Sequence, residues 1–161
     1  MRPARRLVSI ALLAGSAGCA MTAPGAYGNF AGGPSSHDAK MAADAARQLA
    51  ALYPPAATRL HVRQPTPDAF GSILVEALRA SGFAVLESQP GDLARADPPA
   101  GAAPPGPGAQ AHASLDLRYV VDRYGADQYR ITVLVGQQSL TRAYGVQDGA
   151  LRPASHWARR Q

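Results

Sequence analysis

Thr58-Arg-Leu-His-Val-Arg63, Thr66-Pro-Asp68, Phe70-Gly-Ser-Ile-Leu-Val-Glu-Ala-Leu78 and Gly82-Phe-Ala-Val-Leu-Glu87 follow one another along the chain, and their reading decides the fold. The first stretch alternates Leu60 and Val62 with Arg59, His61 and Arg63, the period of a half-buried strand. Thr66-Pro67-Asp68 supplies an N-cap, a proline at the first helical position and an early acid. Phe70, Ile73, Leu74, Ala77 and Leu78 then fall at i, i+3, i+4, i+7 and i+8, one stripe of an amphipathic helix. Gly82 stops that helix, and Phe83–Glu87 reads as a short apolar strand. Strand, helix and strand in this order predict a crossover that returns to the same sheet.

Working outward, Ser35 or Ser36 caps an earlier helix with Asp38 in its first turn. Met41, Ala45, Leu49, Leu52 and Tyr53 give it a shallow, alanine-rich apolar face, and Pro54-Pro55 ends it. On the other side, residues 88–113 hold six prolines among glycines and alanines and predict a disordered insertion. Three alternating runs follow: Ser114–Arg123, Gln128–Gln137 and Ser139–Val146. They are joined by Gly125-Ala-Asp127 and Gly136-Gln-Gln138, and Gln147-Asp-Gly149 ends the last, as in an antiparallel meander with one packed face. The third run fits least well, because Arg142 shares a face with Leu140, Tyr144 and Val146. That conflict calls for a bulge or a partly exposed face. Trp157 is placed to pack over an open end of the core.

The expected fold is α+β: two helices on a roughly five-stranded mixed sheet, a βαβ unit followed by a three-strand meander. It occupies 36–158 as a single domain interrupted at 88–113, behind a flexible tether over 19–35 and a signal segment over 1–18.

The N-terminus carries the sharpest local signal. Arg2, Arg5 and Arg6 precede the apolar run Leu7–Ala14, and Gly15-Ser-Ala-Gly18 supplies small residues up to Cys19. Eight residues are too few to span a bilayer core, which needs about 20 helical residues. The chain's one cysteine sits where a bacterial lipobox places it, after Ala17 and Gly18, although Ser16 stands where an aliphatic residue is usual. The thiol is needed there because its sulfur is alkylated by diacylglycerol, and further acylation makes the anchor stable. Met21 is not the aspartate that favours inner-membrane retention, so the expected address is the outer membrane, facing the periplasm.

The 161 residues carry a net charge of +5, but without Arg2, Arg5 and Arg6 it falls to +2. No basic stripe with interleaved aromatics remains, so nucleic-acid binding is not expected. His37, His61, His112 and His156 lie in different elements without ligand spacing, and a single cysteine excludes a cysteine zinc site. Asp116 and Asp122 share a strand face, but six residues on a strand span about 20 Å, too far for a carboxylate pair. Arg118 between them marks a solvated charged face. No nucleophile elbow, P-loop or H-E-x-x-H helix occurs, so no enzyme, small-molecule substrate or cofactor is expected beyond the acyl lipid on Cys19.

Three blocks behind the lipobox carry a resemblance: Gln48–Leu60, Asp68–Val85, and Leu117–Asp122 together with Tyr129–Tyr144. In this order they resemble the TrbH family of conjugal-transfer lipoproteins, over nearly the whole chain outside 88–113. The resemblance implies a lipid-anchored subunit near the outer-membrane part of a type IV secretion, mating-pair-formation channel, with other channel subunits as partners. Cys19 is the one functional residue that it carries over, as the lipid attachment site. The third meander strand, with Leu140, Arg142 and Tyr144, is the expected partner contact because of its mixed pattern. A general envelope lipoprotein unconnected with DNA transfer is the alternative from another class.

Overall fold

The computed structural model describes residues 27–88 and 113–161. Along them run β1 (Gly28–Asn29), α1 (Ser35–Leu52), a 3-10 turn (Pro55–Ala57), β2 (Thr58–Val62), α2 (Ala69–Ala80) and β3 (Ala84–Glu87). After the gap come β4 (Ala113–Arg123), β5 (Gln128–Val135), β6 (Gln138–Gln147), β7 (Ala150–Pro153) and β8 (Ala158–Arg160). The strands make one mixed sheet in the order β3-β2-β4-β5-β6-β7, with β1 beside β4 and β8 beside β6.

The β2–α2–β3 unit forms as its periodicity predicts, with β2 and β3 adjacent and parallel. The helix cap lies two residues later than expected. Asp68, not Thr66, is the N-cap and accepts from the Gly71 amide at 2.9 Å, while the Thr66 hydroxyl turns to Glu87. Gly82 adopts φ +91° and the Phe83 amide reaches back to the Leu78 carbonyl, which closes the helix end. α1 differs similarly: Pro34, not Ser35 or Ser36, stands at its N-cap and supplies no side-chain cap. Asp38 is instead buried and accepts from the Asn29 side chain at 3.0 Å, which ties β1 to the helix.

The meander β4-β5-β6 is antiparallel and in continuous register, Leu117↔Val135 through Arg123↔Tyr129 and Gln128↔Gly145 through Val135↔Gln138. Both helices pack on one face of the sheet. Met41, Leu49, Phe70 and Leu78 meet Leu60, Tyr119, Ile131 and Leu140 there, all essentially inaccessible to solvent. Among the described residues the opposite face, with Arg118, Thr132 and Thr141, carries no helix and keeps contact with water.

Among the described residues eight strands stand where five were expected, because three short ones complete sheet edges that the long strands leave open. β2 covers β4 from Ala113 to Leu117, and β1 covers it at Val120 and Val121. Between them the Gln64 side chain pairs with the backbone of Tyr119, accepting at 2.9 Å and donating at 3.3 Å, as a strand residue would. β6 is completed likewise by β8 at Ser139–Thr141 and β7 at Tyr144–Gln147, with Ser155 Oγ accepting from the Ala143 amide in the gap. Residues 28–34, expected to belong to the tether, are thus part of the fold, and Ala31 is buried. The signal segment, the tether up to residue 26, and the insertion from 89 to 112 lie outside the described residues.

Candidate functional site

Two carboxylates hold the helices to the sheet. Asp68 Oδ2 accepts from the Tyr119 hydroxyl at 2.6 Å while its Oδ1 caps α2. Gly71 is required beside them, since a Cβ at that position would run into the Tyr119 hydroxyl. Burial pushes the Tyr119 phenol far above its ordinary range, and the hydrogen bond to Asp68 adds to this.

On α1, Asp44 Oδ2 accepts from the Tyr144 hydroxyl at 2.6 Å and from Arg142 Nη1 at 2.7 Å, while Oδ1 takes Arg47 Nη2 at 2.9 Å. Burial pushes the Asp44 carboxyl upward, but the hydrogen bonds from Tyr144 and Arg47 and the charge of Arg142 outweigh it, and the group sits below its ordinary range. Tyr144 is raised, first by burial and then by Asp44. Arg142 also donates from Nε to the Ser155 carbonyl and lies between the rings of Tyr144 and Trp157, 5.8 and 5.7 Å from their centroids. Trp157 is half-buried against the core, as its position near an open end suggested.

This network settles the conflict in the third meander strand. β6 pairs with β5 without a bulge, and Arg142 faces the core because Asp44, 98 residues earlier, meets it there. The partner contact expected from Leu140, Arg142 and Tyr144 therefore changes meaning. Leu140 and Tyr144 are 1% and 2% exposed beneath α1, and the Arg142 side chain is 19% exposed and engaged from three sides. Leu140 and Arg142 serve the intramolecular core, and Tyr144 does so while also lining the wall of a cleft. Cys19 lies outside the described residues.

A cleft of about 410 Å³ opens beside the Asp44 network, between α1 and β7. Ala39, Ala43, Tyr144, Leu151 and Pro153 line it, with Lys40 and Arg47 also contributing. Sequence reasoning missed both β7 and the cleft. The available signal was Asp148-Gly149, whose φ values of 52° and 72° make the left-handed two-residue turn favoured in hairpins. A second hollow, about 350 Å³, lies on the open sheet face among Arg130, Thr132, Ser139, Thr141 and Arg160. Its Arg130 is already committed to Asp122 through two hydrogen bonds of 2.7 and 3.1 Å.

Asp116 and Asp122 are held by different arginines, Arg63 at 3.6 Å and Arg130, and Arg118 lies over the Tyr27 ring at 5.3 Å. His61 contacts Arg63 and Ser88, and His37 packs edge-on to Tyr129. Among the described residues no group of three His, Cys, Asp or Glu side chains could hold a metal. No described helix is long and apolar enough to cross a membrane.

The model of the conjugal transfer protein TrbH family matches residues 24–161, which takes in both helices and all eight strands. The chain belongs to the TrbH family. Neither the curated proteins nor the solved structures yield a match. For a TrbH-family chain the three blocks that carried the resemblance are structural. Gln48–Leu60 joins α1 to β2, Asp68–Val85 is the capped α2 with β3, and Leu117–Tyr144 is the meander that receives both helices.

Proposed function

We propose that this TrbH-family chain is a lipid-anchored, non-enzymatic subunit of a conjugative DNA-transfer channel, held at the outer membrane and facing the periplasm. The family match over 24–161 carries the assignment to conjugal transfer. The anchor rests on Cys19, the chain's one thiol, placed directly after a basic and apolar signal segment. Diacylglycerol on its sulfur, with acylation of the new N-terminus, supplies the attachment, and no other cofactor is required.

Only nine residue steps lead from Cys19 to β1, which itself pairs with β4. A fully extended stretch of that length spans about 30 Å, so the module stays close to the membrane surface. Its work is to position other transfer components, not to turn over a substrate.

Deletion of the gene from a donor strain tests the assignment. The expected result is loss of plasmid transfer with unchanged sensitivity of the donor envelope to detergent. Normal transfer with a detergent-sensitive envelope would instead establish a general envelope lipoprotein. Labelling with radioactive palmitate tests the anchor: wild type incorporates label and Cys19→Ser does not.

A further inference from the structure

We propose that the cleft between α1 and β7 is a docking groove for a short extended segment of another channel subunit, one in which an apolar side chain is flanked by aspartate or glutamate. The inference rests on the channel reading above for the partner's identity, and on geometry for its chemistry.

The first observation is a strand edge beside the cleft. β7 is the last strand in the sheet order, and the Gln147↔Ala150 register fixes how its backbone is used. Hydrogen-bonded pairs alternate along an antiparallel ladder, and Ala154 donates to the Ala143 carbonyl at 2.8 Å. Ala150 and Arg152 therefore bond to β6, and Leu151 turns its N–H and C=O away from it, as Pro153 turns its C=O. That edge offers one donor and two acceptors. Pro153 withholds the next donor, which admits a short segment and discourages the pairing of a long foreign strand.

The second observation is the floor. Leu151 and Pro153 project into the same cleft, opposite Ala39 and Ala43 of α1 and the ring of Tyr144. A segment laid along β7 would turn every second side chain toward this apolar floor.

The third is charge. Lys40 and Arg47 lie two helical turns apart on α1, about 10 Å along its axis. Lys40 makes no ion pair among the described residues, and the Arg47 side chain is 74% exposed. The one carboxylate in the cleft, Asp44, has both oxygens occupied by Arg47, Arg142 and Tyr144. An incoming acid thus meets cations and no free carboxylate. In an extended segment, acids two residues before and after an apolar anchor share its face and lie about 13 Å apart, within reach of both cations. This chain's first 37 residues contain no Asp or Glu, so its own N-terminal segment, from the same or a second copy, lacks the required charge.

The test is a fluorescence-anisotropy titration of the full-length chain with the labelled heptapeptide Thr-Asp-Thr-Leu-Thr-Asp-Thr. Saturable binding is expected, weakened by salt. A loss of at least about tenfold is expected for the Lys40→Glu/Arg47→Glu double variant and for Ala43→Trp, which fills the cleft. The same loss is expected with Asn for Asp or Ser for Leu in the peptide. A peptide with Lys for Asp should bind the double variant better than it binds wild type, a gain that misfolding cannot produce. Absence of saturable binding up to about 1 mM, or binding indifferent to these changes, would overturn the groove. The titration does not depend on DNA transfer, so normal transfer from the deletion donor would sink the channel reading alone.

Discussion

α2 and α1 are fastened to the same sheet face by the same pair of groups, a carboxylate on the helix side and a tyrosine hydroxyl from the meander, each at 2.6 Å. Their surroundings differ. Asp68 serves a helix cap and a tyrosine, Gly71 closes the space beside them, and no cation among the described residues pairs with it. Asp44 also takes two arginines and borders an open cleft. The α2 fastening joins a part-buried carboxylate to neutral partners. The α1 fastening does the same mechanical work while neutralising a carboxylate at the edge of a surface hollow, which leaves that hollow with a cationic rim.

Asp68→Ala should break the comparison most severely, because one change removes the cap and strands the Tyr119 hydroxyl. A loss of about 3 kcal/mol in urea-unfolding stability is expected. Asp44→Ala should cost about 2 kcal/mol, mainly by leaving the largely buried Arg142 without its counter-ion. A cost near zero would mean that Arg142 re-solvates freely.

The two tyrosines sharpen the contrast. Tyr119→Phe should cost about 1.5 kcal/mol and Tyr144→Phe about 1 kcal/mol, since Asp44 keeps its arginines and Asp68 Oδ2 keeps nothing. Equal losses would argue that the arginines contribute little.

The smallest effects concern pH. Asp44 is held below its ordinary value of 3.8, so its native form binds fewer protons than the unfolded chain. Its contribution is present above that value and lost as pH falls through the lower folded one. Asp38 is shifted the other way, raised by burial despite the Asn29 hydrogen bond, so stability declines as pH rises from 3.8 through its folded value. Asp38→Asn should therefore raise stability at neutral pH and remove that decline, whereas Asp44→Asn should flatten the acid limb. Thermal melts between about pH 3 and 7 distinguish the two.

What could be read in advance follows from how local each signal is. The α2 stripe, the stop at Gly82 and the alternation of β4 and β5 are periodic patterns, and each folds where its period places it. β1, β7 and β8 are two, four and three residues long, too short to show a period. Gln64 and Ser155 standing in for strand backbone has no sequence signature at all. Arg142 was legible as a conflict on an apolar face, but its partner is 98 residues away on a helix whose polar positions looked ordinary. Partner contact was therefore expected from residues engaged in the core, of which Tyr144 alone lines the open cleft that went unread. Cys19 lies outside the described residues, and its proposed lipid role rests on a short linear signal that can be read without any fold.

The most direct measurement is plasmid transfer from a donor lacking this gene, complemented with wild type or with Cys19→Ser. Wild type is expected to restore transfer and Cys19→Ser is not, although the variant accumulates as folded protein. Transfer restored equally by both would contradict an obligatory lipid anchor and leave the folded module sufficient.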